Sequence, residues 1–171
     1  MQSLWAKILA GEATTPGTYA KRTVNFVPNL DKNDCQMFTN LCIFGWQIGG
    51  FTPLVFDIHH EIYQKHNITF AVLKHLDDIG LITFNNVTGF RRTGIPKNFP
   101  VIYYGQLLVL EFPKDENNDL QIGKTLLTKI GEELAPICGS NKSDEFFQYV
   151  VEKWSGENLF PYSPLSQRSS S

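Results

Sequence analysis

The side chains best suited to metal chemistry lie in one short histidine-rich stretch. His59, His60, Glu61 and His66 fall close together, and imidazole and carboxylate groups are common zinc ligands. On a helix, His59 and His66 would share a face, whereas Glu61 would point elsewhere. The His-Glu-x-x-His spacing of zinc proteases does not occur. We therefore predict ordinary solvated or capping histidines, with no metal and no cofactor.

The three cysteines do not match a catalytic or disulfide pattern. Cys35 and Cys42 lie seven positions apart, Cys138 is distant, and no Cys-x-x-Cys pair occurs. The odd number argues against a disulfide framework and predicts a reducing, cytoplasmic location. A nucleophilic cysteine needs a base or an electropositive setting, and nothing near Cys35 or Cys42 in the sequence supplies one. Both are predicted to be small buried apolar residues.

The sequence also lacks the glycine-rich and serine-centred motifs of common enzyme classes. It has no Gly-x-Ser-x-Gly, Walker or dinucleotide-binding pattern. The carboxylate pairs Asp77-Asp78 and Glu132-Glu133 are adjacent on predicted helices, so the two members of each pair diverge. We predict that the chain is not an enzyme.

A basic segment at residues 89–98 is the strongest candidate for binding a charged partner. Phe90, Arg91, Arg92 and Lys97 give it three positive charges and an aromatic ring. A basic loop with an aromatic side chain suits phosphates or a DNA minor groove. It also suits an acidic protein partner, and the sequence leaves both alternatives open.

Lys74 is a weaker candidate because of the helix that carries it. It lies on a predicted helix with His75, Asp77 and Asp78. Helices that read DNA bring Arg, Lys, Asn or Gln to base edges, whereas two carboxylates repel a phosphate backbone. This helix therefore favours a protein partner over nucleic acid.

These residues belong to a chain of ordinary globular composition. It has 171 residues, 15 basic and 17 acidic side chains, a net charge of −2 and 42% apolar residues. This balance excludes a histone-like polycation and a disordered acidic chain. No run approaches the roughly 20 apolar residues of a membrane span, so no membrane partner is expected.

The first third of the chain is predicted to be helical. Asp31 and Asp34 have the spacing of a capping box, which begins a third helix. The apolar stripe of this helix comprises Cys35, Phe38, Leu41, Cys42 and Trp46. The large side chains expected to fill the core of this region are Trp5, Phe26, Phe38, Leu41 and Trp46.

The middle of the chain predicts two helices, a strand, a hairpin and a further helix. Thr69 and Gly80 bound the second of these helices, and a strand follows at once. The hairpin is predicted from Val101–Tyr104 and Gln106–Phe112, after a loop at residues 89–100. A last helix over residues 143–154 is expected to bury Phe146, Phe147 and Trp154.

This order of elements resembles a winged helix, and the phrases LKHLDDIGLITF and LLTKIGEELAPI carry the resemblance. It implies a mixed α+β fold, in which an N-terminal helical bundle packs on a winged-helix-like domain with a small antiparallel sheet. The expected organisation is a helical subdomain at residues 1–52, a winged-helix-like subdomain with a closing helix at 53–155, and a flexible tail at 156–171.

A second resemblance covers most of the chain. The phrases LWAKILAGE, PGTYAKRTVNFVPNL, FTNLCIFGW, PLVFDIHHEIY and LTKIGEELAPICG are together similar to an uncharacterised bacterial family, domain of unknown function 2806. The similarity spans about residues 3–155 and implies no known activity or catalytic residue. Members tend to be longer, which implies that this chain is the C-terminal part of a larger bacterial protein. The phrase from Trp5 to Glu12 is also similar to bacterial proteins associated with phage defence.

Taken together, these features predict a non-enzymatic protein-interaction or assembly module that binds a protein partner or a second copy of itself. The alternative is a nucleic-acid-binding winged helix that uses the basic segment as its wing. The candidate contact residues in either case are Phe90, Arg91, Arg92, Lys97 and Lys74.

Overall fold

The structure is a computed structural model that describes residues 2–165, with side chains from residue 6 onward. The expected contribution of Trp5 to the core therefore lies outside the described side chains. The helices in chain order are α1 (Gln2–Thr14), α2 (Lys21–Phe26), α3 (Lys32–Cys42), α4 (Glu61–Gln64), α5 (Phe70–Asp78), α6 (Lys129–Leu134) and α7 (Asp144–Gly156). The strands are β1 (Gly45–Gln47), β2 (Phe51–Pro53), β3 (Ile82–Phe84), β4 (Phe90–Ile95), β5 (Asn98–Tyr103), β6 (Gln106–Glu111), β7 (Asn118–Gly123), β8 (Thr125–Leu127) and β9 (Phe160–Tyr162). The mixed α+β class is confirmed.

The chain divides into two compact units, and each unit is built from three separate segments. The first comprises the residues up to Ile43, then Ile58–Phe84 and Leu126–Asn141. The second comprises Phe44–Asp57, Asn85–Thr125 and the residues from Lys142 onward. The sequence predicts subdomains that follow one another along the chain, whereas these units alternate along it.

In the first unit, side-chain caps begin α3 and α5 where the sequence predicts them. The carboxylate of Asp31 accepts the Asp34 N–H at 2.8 Å, and the Asp34 carboxylate accepts the Asp31 N–H at 3.0 Å. This reciprocal pair is the predicted capping box of α3. The Thr69 hydroxyl likewise accepts the Val72 N–H at 3.2 Å and begins α5. Gly80 follows α5 with a φ of +94°, a conformation that favours glycine.

The core of the first unit is filled mainly by aliphatic side chains. Strands β3 and β8 pair as a two-stranded sheet. The hydroxyl of Thr128, the N-cap of α6, donates to the Gly80 carbonyl at 2.7 Å and ties α6 to the end of α5. The fully buried apolar residues of this unit are Ile8, Val27, Leu41, Cys42, Tyr63, Ile68, Leu73, Leu76, Leu81 and Leu134.

The second unit is built on a five-stranded sheet with the strand order β2-β1-β5-β6-β9. Helix α7 packs on one side of it, where its aromatic rings meet Trp46 and Tyr103. The expected burial of Phe146 and Trp154 is confirmed, and Phe147 is half-buried. Strands β4 and β7 form a separate antiparallel pair.

The predicted apolar stripe of the third helix is wrong at its C-terminal end. Helix α3 ends at Cys42, and Trp46 lies in β1 opposite Thr52 of β2. Cys35, Phe38, Leu41 and Cys42 do lie on the helix as predicted. The four-residue step to Trp46 continues the helical spacing by coincidence, because strand pairing decides the conformation there.

The predicted loop at residues 89–100 is also wrong. Phe90–Ile95 forms β4, and β5 begins at Asn98. The register of β4 against β7 shifts twice, between Phe90 and Arg91 and between Arg92 and Ile95. These irregularities hide the alternation of apolar and polar residues that marks a strand.

The predicted hairpin exists, but its sheet is larger than expected. Strands β5 and β6 pair from Tyr103 opposite Gln106 to Asn98 opposite Glu111. Further strands flank this hairpin, β1 on one side and β9 on the other. Part of the predicted flexible tail is thus structured, since Phe160–Tyr162 forms β9, and residues 166–171 lie outside the described part of the chain.

Candidate functional site

The histidine-rich stretch serves the local fold. The ring of His60 accepts the Ile62 N–H at 3.1 Å and caps α4, while the carbonyl of His59 accepts from Gln64 at 3.1 Å. Across residues 2–165, no group of three or more histidine, cysteine or acidic side chains is placed to hold a metal ion. Within the same range, no helix has the length and apolar character needed to cross a bilayer.

Arg92, a central residue of the predicted basic patch, is engaged by its own fold. Its Nη1 donates to the Ile48 carbonyl at 2.9 Å, and its guanidinium lies 5.4 Å from the ring centre of Phe99. Gly49 has a φ of +71°, and a Cβ placed there would lie 2.3 Å from the same guanidinium. The guanidinium thus rests directly on the β1–β2 turn, where one of its N–H groups binds backbone.

The other cations of the basic segment face carboxylates. Arg91 lies 3.8 Å from a carboxylate oxygen of Asp119, and Lys97 lies 3.9 Å from one of Asp115. Because both pairs are exposed, each is worth little in stability. The two carboxylates do lower the net positive charge around the basic segment. Phe90 is half-buried, at the end of β4 next to Gly123.

Lys74 lies in the first unit, whereas the other four candidate residues lie in the second. Its ammonium group is 2.5 Å from the carboxylate of Asp78, one turn along α5. That hydrogen bond raises the pKa of Lys74. Asp77 accepts the Phe84 N–H at 3.1 Å and so has a structural role.

Glu133, one member of the adjacent pair Glu132-Glu133, caps a helix in the first unit. Its carboxylate accepts the Ala20 N–H at 2.9 Å and the hydroxyl of Thr23. These bonds satisfy donors at the start of α2 and hold it against α6. The shallow cleft beside them is lined by Lys21, Arg22 and Lys129.

The outer face of the five-stranded sheet is a surface that the sequence predictions do not include. Directly opposite residues of antiparallel strands point to the same side, so the register defines this face. Ile102 lies opposite Leu107, Pro100 lies opposite Val109, and Val109 lies opposite Tyr162. We call this surface the outer face, and its residues are Asn98, Pro100, Ile102, Leu107, Val109, Glu111, Phe160 and Tyr162.

The outer face is apolar and exposed. Ile102 is 37% exposed, Leu107 40% and Phe160 62%. The other side of the same strands is buried, with Val101 and Leu110 inaccessible to solvent. Glu111 is the one charged residue among those that define the face, and the Tyr162 hydroxyl lies 3.4 Å from the side-chain oxygen of Asn98.

The sequence does carry a signal for this surface. An antiparallel sheet with one solvated side alternates apolar and polar residues, whereas strands covered on both sides are continuously apolar. The runs Pro100–Tyr104 and Leu107–Leu110 are apolar or aromatic at every position. Their composition is that of strands covered on both sides, yet the structure exposes one side.

Comparison with known proteins identifies the family. Residues 1–151 match the family described as protein of unknown function (DUF2806). The chain belongs to the DUF2806 family. This confirms the family resemblance that the sequence phrases carried. No curated protein and no solved structure matches the chain. The matched region ends inside α7, so it includes both strands of the β5–β6 hairpin.

Proposed function

We propose that this DUF2806 chain is a non-enzymatic assembly module that associates with a second copy through the outer face. The observation that carries the proposal is the exposure of Ile102, Leu107 and Phe160 on strands of continuously apolar composition. Exposed apolar side chains that form one contiguous surface mark interaction sites in soluble proteins. Burying them against a protein surface removes apolar area from water at about 25 cal/mol per Å².

The low charge of the outer face favours a second copy as the partner. A two-fold symmetric interface brings the same patch of each copy together, so like charges meet and repel. Of the residues that define the face, only Glu111 is charged, and it lies at the end of β6. A face of this kind suits a copy of itself better than a strongly basic or acidic partner.

The nucleic-acid alternative has weaker support. Arg92 is bonded to the Ile48 carbonyl, and Arg91 and Lys97 each face a carboxylate. DNA-binding surfaces derive most of their affinity from cations available to phosphates. The carboxylates beside these cations favour the assembly proposal.

We also propose that the first unit is a winged-helix variant. Its elements α4, α5, β3, β8 and α6 occur in the winged-helix order, and β3 pairs with β8. Residues 85–124, which occupy the position of the wing in the sequence, belong to the second unit. In this arrangement α5 corresponds to the recognition helix, and its Asp77 and Asp78 again favour a protein partner.

Sedimentation equilibrium of the full chain tests the assembly proposal. The dilution series should run from roughly 1 mM to 1 µM, which spans association free energies of about −4 to −8 kcal/mol. We expect wild type to self-associate within this range. Leu107→Glu should weaken association by at least about tenfold, because roughly 1.4 kcal/mol is lost when an apolar contact is replaced by a desolvated charge.

Val87→Glu is the matched control, since Val87 is 88% exposed in the same unit and is not on the outer face. It should associate as wild type does. A wild type that stays monomeric throughout the series would refute the proposal, as would Leu107→Glu associating like wild type.

A further inference from the structure

The first unit brings together cysteines that are far apart in the sequence. Cys35 and Cys42 lie on α3, with Thr39 between them at intervals of four and three residues, so the three share one face of the helix. The Thr39 hydroxyl donates to the Cys138 carbonyl at 3.2 Å. This bond places Cys138 against the cysteine-bearing face of α3.

The thiols of Cys42 and Cys138 are direct neighbours. Each thiol affects the pKa of the other, and the Cys138 Sγ also donates to the Ala135 carbonyl at 3.3 Å. Cys42 is completely buried, whereas Cys138 is partly exposed. Of the two residues, Cys138 is therefore the one that solvent reaches.

The surroundings of Cys138 stabilise its thiolate. The hydrogen bond from Cys42, together with bonds from the Ser140 backbone N–H and hydroxyl, outweighs burial and lowers the pKa of Cys138 to about 6. Burial and the neighbouring Cys138 raise the pKa of Cys42, so this residue keeps its proton. The Thr39 hydroxyl can donate one hydrogen bond, and in this structure the Cys138 carbonyl accepts it. Lys7 donates to the Ile137 carbonyl at 3.0 Å and adds a positive charge near the same turn.

We propose that Cys138 and Cys42 form a hydroperoxide-sensitive thiol pair, with Cys138 as the attacking residue and Cys42 as the resolving residue. A partly exposed thiolate beside a second thiol is the arrangement typical of redox-responsive cysteines. This role is independent of the proposed assembly function, because the pair lies in the first unit and the outer face lies in the second.

The chemistry balances in two steps. The Cys138 thiolate attacks the terminal oxygen of a hydroperoxide, an S–O bond forms, and the O–O bond breaks. This step yields a sulfenic acid on Cys138 and an alkoxide, which takes a proton from solvent. The Cys42 sulfur then attacks the Cys138 sulfur, and the hydroxyl leaves with the Cys42 proton as water. The two sulfurs together lose two electrons, which reduce the hydroperoxide to an alcohol, or to water when the oxidant is hydrogen peroxide.

A reversible thiol pair is compatible with the reducing compartment that the sequence predicts for this chain. Disulfides in such compartments are usually transient and redox-responsive rather than structural. The third thiol, Cys35, lies two turns before Cys42 on α3, and burial raises its pKa. Cys35 is therefore the internal control for reactivity.

The test treats the full, reduced wild-type chain with hydrogen peroxide at equimolar concentration. Its readouts are the number of free thiols and a non-reducing peptide map by mass spectrometry. We expect the thiols to fall from three to one, and the map to link Cys42 with Cys138 within one chain. A product that retains all three thiols would overturn the proposal, as would a link from Cys138 to Cys35.

Variants then separate the two roles. Cys138→Ser should abolish the disulfide, and Cys35→Ser should leave it unchanged. Cys42→Ala should stop the reaction at a sulfenic acid on Cys138, detected by a dimedone adduct. Because Cys42 is buried and its replacement could disturb folding, the wild-type peptide map stands as the decisive measurement.

The alkylation rate of wild type gives a separate readout. A thiol with a pKa of about 6 is about nine-tenths ionised at pH 7, against about one-thirtieth for an ordinary thiol of pKa near 8.5. The rate of iodoacetamide labelling at Cys138 should therefore reach half its maximum near pH 6. If the labelling rates of Cys138 and Cys35 reached half their maximum at the same alkaline pH, the assigned roles would be contradicted.

Discussion

Replacing Trp46 with alanine tests whether the aromatic cluster organises the second unit. The Trp46 side chain is fully buried in β1. Its ring stacks on Tyr103 at 4.9 Å and on Phe147 at 5.6 Å, and it meets Trp154 edge-on at 4.9 Å. Its Nε1 has no hydrogen-bond partner among the described residues, so the substitution removes packing alone.

The magnitude follows from this geometry. Truncating a large buried aromatic to alanine costs about 3–5 kcal/mol, and the value rises when neighbours cannot collapse into the cavity. Three aromatic contacts, each worth about 0.5–1.5 kcal/mol beyond burial, place Trp46→Ala at the upper end of that range. Trp46→Phe keeps one ring in place and loses about two carbon groups at roughly 0.8 kcal/mol each, so it should cost about 1.5 kcal/mol.

Urea unfolding followed by far-ultraviolet circular dichroism measures both losses without relying on tryptophan fluorescence. In a thermal melt, about 3–5 kcal/mol corresponds to a fall in Tm of roughly 6–20 °C for a chain of this size. Val87→Ala is the control, and it should change the free energy of unfolding by no more than about 0.5 kcal/mol. An unchanged midpoint for Trp46→Ala, or an equal loss for the phenylalanine variant, would refute the packing argument.

Two further predictions concern charged groups. In a duplex-DNA titration at several salt concentrations, wild type and the Arg91→Glu/Lys97→Glu double variant should bind equally weakly at moderate salt, because both cations already face carboxylates. A wild-type log–log salt slope steeper than that of the variant by about −1.8, the value for two phosphate contacts, would instead support nucleic-acid binding. The second prediction concerns Asp34. Burial raises the pKa of Asp34, but hydrogen bonds with His75, at 2.6 Å, and with the Asp31 N–H outweigh burial and lower it. A lowered pKa contributes stability that is present above the unfolded-state value of about 3.9 and is lost as pH falls through the folded-state value. Asp34→Asn should therefore lower the free energy of unfolding by about 1 kcal/mol at neutral pH. On acidification its free energy of unfolding should fall less than that of wild type, as measured by urea unfolding across pH. Identical acid profiles for the two proteins would contradict this assignment.

The start of α3 and both ends of α5 could be predicted because local side chains determine them. The capping box of Asp31 and Asp34, the Thr69 cap and Gly80 all act within a few residues of the helix end that they define. Such signals depend little on the rest of the fold. They are therefore readable from the sequence.

Strand pairing with distant partners could not be predicted. Trp46 continues the helical spacing of α3, and only its pairing with Thr52 and the aromatic contacts with Tyr103 and α7 make it a strand residue. Likewise, β4 contains Arg91, Arg92 and Gly94, a composition that suits a loop. Its conformation depends on backbone pairing with β7.

Four of the five candidate contact residues are cations, and the partners that each cation meets in the fold determine its role. The sequence identifies Arg92 as a cation but gives no indication that Ile48 would accept its hydrogen bond. The neighbouring positions of Cys42 and Cys138 depend on tertiary structure in the same way. The outer face, by contrast, could have been found from the continuously apolar runs in β5 and β6.

The alternation of the two units along the chain has a consequence for biosynthesis. The first unit is incomplete until Leu126–Asn141 has been made, and the second until α7 and β9 have been made. Neither unit can therefore finish folding on the ribosome until most of the chain has been translated. The apolar strands β5 and β6 must therefore wait for α7 to cover their inner side, and nascent chains depend on rapid late closure or on chaperones during that interval.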